Sequence, residues 1–325
     1  MPELPEVHTT ATMLNKLIGG LGIVSVWTDY DSTYHRGKDN IKDPRFFRDF
    51  SKKITGAQFT KINRCGKNVL LELDNGQTVL IHMKMTGHLL YGKYSKVKSL
   101  KLKARPYRTG SDTFGRVKSE ERWEAAEKGV LQDFRNQFIH FVISLSDGKH
   151  LVLSDMRKFA KVTLISTDKL GTSEHLKDIG PEPLEPSFTF EKFHERLTTK
   201  PRGKIKQVLM NPEVIAGIGN IYSDEMLWLA DIHPLSTTAK VPDSALRGLF
   251  MAMKEILKKG IDFGGDSTSD YRNPLGEFGK FHHHHQAYRN TGKPCGKRGC
   301  RGTIKRIPLG GRNAHFCNIH QKLFS

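Results

Sequence analysis

The sequence predicts an α+β protein with strands in its first half, helices in its second half and a small two-stranded ribbon at its C-terminal end. Three observations predict this class. Apolar runs in the first half flank short turn sequences, the apolar period becomes helical after residue 187, and the last cysteines and a histidine stand in closely spaced pairs. The chain has 325 residues, enough for two domains that each bury a core.

The first half opens with MPELPEV and continues with two predicted β-hairpins. Pro2 and Pro5 lack amide donors, so the opening is expected to be an irregular arm before a helix that starts near Glu6, with Pro5 in its first position. The runs KNVLLELDNGQTVLIHMKM and QFIHFVISLSDGKHLVLSDM each predict two strands, joined at Asp-Asn-Gly in the first run and at Asp-Gly in the second.

A polar, basic stretch separates the two hairpins. Residues 92–136 have little periodicity and are interpreted as an insertion, with a helix predicted over residues 119–128. The Pro-rich sequence GPEPLEPS then marks the end of the domain. The predicted units are an N-terminal domain at residues 1–185, a helical domain at 186–264 and a C-terminal loop and ribbon at 265–325.

Three helices are predicted in the second domain. A short one ends before Pro212, a second is capped by Asn220, and a third begins after Asp243. Between the first two lies NPEVIAGIGNIYSDE. Its Gly217 and Gly219 permit close backbone approach, and the helix that follows would present free amides to an anion.

The net charge of the chain indicates what kind of partner it binds. There are 52 Lys and Arg against 34 Asp and Glu, a formal net charge of +18. This excess predicts a polyanionic partner, and nucleic acid is favoured over an anionic membrane because no long amphipathic basic helix is apparent. No apolar stretch approaches the ~20 residues of a membrane span, so a soluble protein is expected.

The cysteines indicate a metal site. Only four occur, and three of them crowd the C-terminal end, which favours a reducing compartment and a metal over disulfides. Two pairs, C-x(4)-C and C-x(2)-H, flank a sequence that predicts two short strands about Gly310 and Gly311. Three thiolates and one imidazole would close a tetrahedral structural Zn²⁺ site. The predicted ligands are Cys295, Cys300, Cys317 and His320.

The opening MPELPEV, the NPEVIAGIGNIYSDE sequence and the C-terminal pairs together resemble the formamidopyrimidine-DNA glycosylase and endonuclease VIII family. The resemblance implies a two-layered β-sandwich with flanking helices, a helix-two-turn-helix domain and a zinc ribbon, whose usual ligands are four cysteines. It also implies a monomeric, bacterial-type enzyme of the cytoplasm and nucleoid that binds damaged double-stranded DNA. Such an enzyme excises an oxidised base and cleaves the abasic site by β,δ-elimination, without a redox or nucleotide cofactor.

The same resemblance assigns chemistry to the opening segment. If Met1 is removed, Pro2 presents a secondary amine, and because α-amino groups have a pKa of ~7.7 to 8.0, part of it is neutral near pH 7. That amine would attack C1′ of the damaged nucleotide while Glu3 moves protons. Lys67 resembles the lysine that approaches the phosphate of the lesion, and Glu6 is expected to orient the segment.

The resemblance also implies DNA contacts. The expected phosphate contacts are Asn220 and Arg312, with Lys206 as a further backbone contact. The residues expected to fill the void left by the extruded base are Met85, Arg157 and Phe159, the last as a wedge. The loop after the third predicted helix is expected to be a mobile lid over the flipped base, with the histidines at 282–285 in a solvated or DNA-facing turn rather than in a second metal site.

Substrate choice stays open at this point. The family motifs HLGMSG and DPRRFG read HMKMTG and DMRKFA here, so Lys84 replaces a glycine and Met156 a proline. Arg157 is retained and could read an orphaned cytosine, which favours oxidised purines such as 8-oxoguanine and formamidopyrimidines over oxidised pyrimidines. Two other classes are a non-catalytic binder of damaged DNA and a zinc-ribbon regulator that reads base sequence.

Overall fold

The computed structural model describes residues 1–101 and 118–325 and has the predicted α+β architecture. The elements of its first half are α1 (Leu4–Ile18), β1 (Ile23–Thr28), α2 (Pro44–Ile54), β2 (Phe59–Cys65), β3 (Asn68–Leu73), β4 (Gln77–His82), β5 (His88–Gly92), β6 (Tyr94–Lys101), β7 (Lys118–Ala125), β8 (Ile139–Leu145), β9 (His150–Ser154) and β10 (Lys161–Ser166). Two four-stranded antiparallel sheets, ordered β1-β8-β9-β5 and β10-β4-β3-β2, form the sandwich. Both predicted hairpins, β3 with β4 and β8 with β9, are confirmed, one in each sheet.

The core of the sandwich lies between the two sheets and beneath α1. Val7 and Leu14 of α1 are fully buried there among apolar side chains of both sheets. The helix begins at Leu4 rather than near Glu6. The reason is a reciprocal cap, in which the Glu6 carboxylate accepts the backbone N–H of Glu3 at 2.7 Å.

The insertion forms an antiparallel hairpin of β6 and β7, so the helix predicted over residues 119–128 is wrong. The pairing sets basic β6 against acidic β7, and Lys96 donates to Glu121 at 3.2 Å. Trp123 of β7 lies 6.1 Å, between ring centroids, from the tryptophan of β1. Such cross-strand charge and aromatic pairs outweigh a local helical preference. The rest of the insertion, residues 102–117, lies outside the described part of the chain.

The second domain contains α3 (Phe190–Thr198), α4 (Ile205–Leu209), α5 (Asn220–Leu229) and α6 (Asp243–Asp262). The last three are the predicted helices, but Gly219 precedes α5 as its cap residue and the side chain of Asn220 does no capping. The four helices enclose a second apolar core that also takes in Leu4, so α1 contributes to both domains. None of the described helices is long and apolar enough to cross a bilayer.

The predicted ribbon is confirmed as β11 (Ile304–Leu309) and β12 (Arg312–Cys317), paired antiparallel about the two glycines between them. It packs on α5 through a small buried cluster that joins Trp228 to Cys295 and Cys317. Trp228 lies near the end of α5, and nearer its start the backbone N–H of His315 in β12 donates to Asp224 at 3.1 Å, so the ribbon is held along this helix.

Candidate functional site

The glycine loop that precedes α5 receives the N-terminal segment of the chain. The backbone N–H of Leu4 donates to the carbonyl of Gly217 at 3.0 Å, and Gly217 has φ +81°. A Cβ added to Gly217 would lie 2.7 Å from Leu4 Cβ, and one added to Gly219 would lie 2.3 Å from the carboxyl carbon of Glu3. Both glycines therefore permit the close approach that their spacing predicts, and what approaches is the N-terminal segment.

Glu3 supplies the anion at the N-terminus of α5. Its carboxylate accepts the backbone N–H of Ile221 at 2.9 Å and that of Tyr222 at 3.4 Å. The side chain is 2% exposed. The free amides expected at this helix end are thus satisfied by a carboxylate of the chain itself, which fixes Glu3 in position.

Glu6 ties the same segment to α5 and to the loop after α6. Its carboxylate accepts from the Glu3 amide, from the Tyr222 hydroxyl at 2.6 Å and from the Asp266 amide at 2.7 Å. Burial, and to a smaller extent the charge of Glu3, raises the pKa of Glu6 from its ordinary 4.5 to about 7. Its contacts are those expected of an orienting residue.

A pocket of about 310 Å³ lies where the N-terminal segment, the turn between β2 and β3 and the ribbon meet. Met1, Lys67 and Arg312 contribute to its wall, and Pro2 is buried next to Met1. Lys67 Nζ donates to the carbonyl of Ile218 at 2.7 Å, so Lys67 bonds to the glycine loop while Glu3 bonds to the first turn of α5 that follows it. Burial lowers the pKa of Lys67 below its ordinary value, and the Glu3 carboxylate opposes that shift.

His82, the first residue of the HMKMTG motif but not one of the predicted site residues, also lines this pocket. Its Nδ1 accepts the backbone N–H of Lys84 at 3.0 Å. Burial lowers the pKa of His82 to about 3, so the imidazole is neutral and carries its proton on Nε2 as a donor. Two signals mark His82, its place in that motif and its register at the end of β4 opposite Asn68, the residue after Lys67.

Asn220 and Arg312 stand beside a buried charge network. Lys206 is 1% exposed and pairs with Asp224, whose second oxygen accepts from His315 Nδ1 at 2.9 Å. Lys206 Nζ also donates to the carbonyl of Asn220 at 3.2 Å. The Lys206 ammonium is thus enclosed and neutralised within the protein, and a contact between Lys206 and a DNA backbone stays a prediction. Arg312 is exposed at the ribbon turn, and the buried Oδ1 of Asn220 has no partner within the described part of the chain.

The predicted metal ligands converge at the base of the ribbon. The ligand atoms of the four residues lie within 4.8 Å of one another. Two of the sulfurs, those of Cys300 and Cys317, are 3.6 Å apart, and Cys295 Sγ lies 3.2 Å from His320 Nδ1. This cluster could hold a metal ion.

The surroundings of the cluster fit a bound cation. Backbone N–H of Gly302 donates to Cys300 Sγ, and the Trp228 indole donates to Cys295 Sγ, both at 3.3 Å. His320 Nε2 lies 3.1 Å from the carbonyl of Trp228, which leaves Nδ1 free as a ligand. A Cβ added to Gly302 would lie 2.4 Å from a ligand sulfur, so glycine is needed there.

Sequence comparisons cover both domains. Residues 1–162 match the formamidopyrimidine-DNA glycosylase N-terminal domain, and residues 179–272 match the H2TH domain of the same family. The formamidopyrimidine-DNA glycosylase of Herpetosiphon aurantiacus is 32% identical over 321 residues, which cover 99% of this chain and 100% of the relative. The chain belongs to the formamidopyrimidine-DNA glycosylase family.

Other relatives and solved structures agree with this membership along the whole chain. The formamidopyrimidine-DNA glycosylase of Lactococcus lactis subsp. cremoris is 32% identical over 323 residues, covering 99% of this chain and 100% of the relative. The structure of Lactococcus lactis Fpg in complex with DNA containing an abasic site has a TM-score of 0.76 and 30% identity, over 98% of this chain and 99% of that chain. A variant of the same protein in complex with DNA containing Fapy-dG also has a TM-score of 0.76, with 31% identity over 99% and 100% of the two chains.

The residues predicted to fill the void left by an extruded base are Met85, Arg157 and Phe159. They lie in two loops and their side chains are exposed. Met85 and Phe159 are 43% and 50% exposed, unusually high for large apolar residues between strands. The guanidinium carbon of Arg157 lies 4.4 Å from the centroid of the Phe159 ring. The three side chains thus form a polar and apolar surface at one end of the sandwich.

The backbone of these loops is fixed even where the sequence departs from the family motifs. The fully buried Asp155 carboxylate accepts from the Thr86 hydroxyl and from the backbone N–H of Ala160, the latter at 2.7 Å. The backbone N–H of Arg157 donates to Thr86 Oγ1 at 3.1 Å. Lys84 has φ +56°, the left-handed conformation that glycine adopts readily, so this chain keeps the glycine-type turn without the glycine.

The loop after α6, expected to act as a lid, is docked against both domains. At its base, Phe281 N–H donates to the carbonyl of Gly265 at 3.1 Å. Farther along, the carbonyl of Pro274 accepts the backbone N–H of Tyr91 of β5 at 2.7 Å. The buried guanidinium of Arg272 lies 3.5 Å from Asp133, which follows the insertion hairpin.

The histidines at 282–285 do not share one environment. His283 is exposed, whereas the side chain of His285 is 5% exposed, with Nε2 at 2.6 Å from a carboxylate oxygen of Asp266. The expectation of a solvated turn is therefore wrong for His285. This residue instead joins the two ends of the loop after α6.

Proposed function

We propose that the protein is a bifunctional DNA glycosylase and AP lyase that excises oxidised purines, such as 8-oxoguanine and formamidopyrimidines, from double-stranded DNA. The observation that carries the proposal is the attachment of the N-terminal segment to the glycine loop. Leu4, Glu3 and Lys67 all hydrogen-bond to residues 217–222, beside a pocket with a cationic wall. Membership of the family supports the same activity.

Pro2 supplies the nucleophile in this scheme once Met1 is removed. The lone pair of its secondary amine attacks C1′ of the damaged nucleotide, the glycosidic bond breaks, and the base leaves with the bonding electrons and takes up a proton. The amine nitrogen then loses its proton and the C1′–O4′ bond of the sugar ring breaks, with O4′ taking up a proton, which leaves an iminium between Pro2 and C1′. The iminium acidifies the 2′ hydrogen. Loss of that proton breaks the C3′–O bond in β-elimination, and a second proton loss breaks the C5′–O bond in δ-elimination.

Glu3 carries protons in these steps, and Lys67 stabilises charge. The Glu3 carboxylate is adjacent in sequence to the amine and is held by two amides of α5, so it stays within reach of the sugar. Lys67 would exchange its bond to the Ile218 carbonyl for one to the phosphate of the lesion. Glu6 keeps the segment in this orientation.

The DNA contacts divide by purpose. Asn220 and Arg312 bind phosphates, while Met85, Arg157 and Phe159 fill the space left by the extruded base, with Arg157 directed at the orphaned cytosine. A structural Zn²⁺ in the Cys295, Cys300, Cys317 and His320 cluster would rigidify the ribbon that presents Arg312. All of these residues belong to one chain, so a monomer suffices.

Borohydride trapping tests the proposal on duplexes that carry 8-oxoguanine, an oxidised pyrimidine or an abasic site. We expect a covalent adduct at Pro2 and the fastest excision for 8-oxoguanine. The Pro2→Gln variant, in which the larger residue keeps Met1 in place, should give no adduct. Lys53→Met, which removes an exposed amine from α2, is the control and should be trapped like wild type.

Three results would contradict the proposal at different points. A full yield of adduct from Pro2→Gln would overturn the N-terminal nucleophile. Faster excision of the oxidised pyrimidine would overturn the substrate class. Tight binding of lesion DNA by wild type without adduct or excision would identify a non-catalytic binder.

A further inference from the structure

Two lysines outside the proposed catalytic group lie at the same end of the sheet as Lys67. Lys161 is the first residue of β10 and stands opposite His82 in β4, which in turn stands opposite Asn68 in β3. Lys84 follows β4 by two residues. The strand register therefore sets Asn68, the residue after Lys67, side by side with His82 and Lys161 across three neighbouring strands. Burial lowers the pKa of His82, and the charges of Lys84, Lys67 and Lys161 all lower it further, so the three lysines lie close to it.

Neither lysine is neutralised within the described part of the chain. Lys161 Nζ lies 3.1 Å from Nδ1 of His175, an imidazole whose pKa is lowered by burial and by the lysine itself. Asp39 and Glu174 are the acids whose charge reaches Lys161, but no described carboxylate lies within 4 Å of either ammonium. Burial lowers the pKa of both lysines, and the charge of Lys84 lowers that of Lys161 further. Among the residues that the structure describes, these two half-buried cations thus share one region without a salt-bridged carboxylate.

The backbone at Lys84 adds an independent observation. With φ +56° it occupies the left-handed region, which costs a non-glycine residue ~1 to 2 kcal/mol relative to right-handed conformations. Glycine, the family residue at this position, avoids that cost. Backbone strain at Lys84, on the edge of the proposed binding surface, indicates a function for the lysine side chain rather than for the turn.

We propose that Lys84 and Lys161 form an accessory subsite for a backbone phosphate of DNA, next to the phosphate bound by Lys67 and Arg312. The inference rests on the proposed function, since it assumes that DNA lies along this end of the sandwich. Strands are ~4.8 Å apart, so the row from β3 to β10 is ~10 Å long. A DNA strand carries one phosphate per ~3.4 Å of helix axis, and the row is therefore long enough to face more than one.

The subsite is tested by the salt dependence of binding. Lys84→Gly and Lys161→Met are compared with wild type on a duplex that holds an uncleavable abasic-site analogue. Each variant should lower the slope of log K against log salt by ~0.9, with equal losses on undamaged duplex. Lys53→Met is the matched control, because Lys53 is exposed and its carbonyl accepts from Asn75 in the β3–β4 turn, at the opposite end of the same strands.

Thermal unfolding separates binding from a structural role. Lys84→Gly removes the strained conformation, so its melting temperature should equal or exceed that of wild type while its salt slope falls. A lowered melting temperature with an unchanged slope would assign Lys84 to the fold and overturn the subsite, as would unchanged slopes in both variants.

Borohydride trapping of the same proteins, on a duplex that carries 8-oxoguanine, keeps this inference separate from the proposed function. Adduct formation with unchanged slopes would refute the subsite alone. Reduced slopes without any adduct from wild type would refute the N-terminal nucleophile and leave the subsite standing.

Discussion

The two regions proposed to contact DNA are built in opposite ways. The phosphate grip, Asn220 and Arg312, stands on buried charges of the C-terminal domain. The wedge loops, which carry Met85, Arg157 and Phe159, extend from the N-terminal sandwich with much of their apolar surface exposed. The phosphate grip is held in a fixed position, whereas the wedge loops leave apolar surface that a bound ligand would cover.

The phosphate grip depends on charged side chains that are buried away from water. Lys206 and Asp224 are 1% and 0% exposed, and the pair joins α4 to α5 while His315 brings β12 to the same carboxylate. Buried charges are tolerated only when they are paired and hydrogen-bonded in a fixed geometry. The network therefore holds the ribbon at one distance from the start of α5, which a sequence-independent phosphate contact requires.

The wedge loops use hydrogen bonds only to hold their backbone. Asp155 and Thr86 fix the two loops to each other, but the side chains of Met85 and Phe159 have little protein around them. Their apolar surface would be buried when inserted into a base stack. Rigid support would thus serve the proposed phosphate contacts, and exposed surface would serve the proposed insertion into the base stack.

Loss of the metal site should have the largest effect and should abolish the grip while leaving the wedge loops folded. We expect Cys317→Ser to lose the ~1 Zn²⁺ per chain proposed for the wild type, because a structural site needs all four ligands. DNA binding should fall to the non-specific level. Cys65→Ser, which removes the cysteine outside the cluster, should keep metal and binding. Stoichiometric zinc in Cys317→Ser would show that the ligands lie elsewhere.

Removal of Asp224 should have the second largest effect, because it destabilises the part of the protein that carries the phosphate grip. Asp224→Ala leaves the Lys206 ammonium buried without a partner, which costs ~3 to 5 kcal/mol of unfolding free energy. A Lys206→Met/Asp224→Asn double variant should regain more than half of that loss, since no buried charge remains. Denaturant unfolding of the three proteins measures this non-additivity. Simple additivity would show that the pair is not a coupled unit.

Glu6 joins α1 to α5 and to the loop after α6, and its ionisation should make the stability of the protein depend on pH. Its pKa is about 7 in the folded protein against an ordinary 4.5, so its stabilising contribution is complete below pH 4.5 and is lost as pH rises through 7. That rise corresponds to ~3 kcal/mol. The unfolding free energy of wild type should therefore fall relative to Glu6→Gln by about this amount between pH 4.5 and 8. Glu185→Gln, at an exposed site, should show no such trend, and a parallel profile for Glu6→Gln would refute the assignment.

Substitution of Arg157 or Arg312 should have the smallest effect, and the two results should distinguish the wedge loops from the phosphate grip. Arg157→Ala should reduce the preference for cytosine opposite 8-oxoguanine by ~1 to 3 kcal/mol, with little change in binding to undamaged duplex. Arg312→Ala should instead slow excision opposite all four bases alike and lower the salt slope by ~0.9. Excision rates opposite each base, at two salt concentrations, measure both. Equal losses opposite all four bases in Arg157→Ala would make Arg157 a positioning residue.

Much of the architecture follows from local patterns. The turn sequences with apolar runs predict both sandwich hairpins, and the helical period predicts α4, α5 and α6. The spacing of the last cysteines and His320 predicts a cluster that the fold does bring together. These predictions hold because turn chemistry, periodicity and ligand spacing act within a few residues of chain.

Local patterns mislead where distant residues decide the outcome. Residues 119–128 favour a helix locally but pair with basic β6. Lysine is a residue type that usually lies at the surface, yet Lys206 is buried and its charge is neutralised by Asp224. His285 belongs to a polar run but meets Asp266 from the other end of its loop.

Local sequence predicts the two sandwich hairpins, the helices α4, α5 and α6 and the spacing of the metal ligands, and it marks the residues of the opening segment. The tertiary structure alone places Glu3 at the N-terminus of α5, bonds Lys67 to the glycine loop and sets His82 and Lys161 in register with Asn68, the residue after Lys67. The physical reason is that burial and pairing of charge depend on groups far apart in the chain. A carboxylate or ammonium is placed by the partner that stabilises it away from water, and local sequence does not contain that partner.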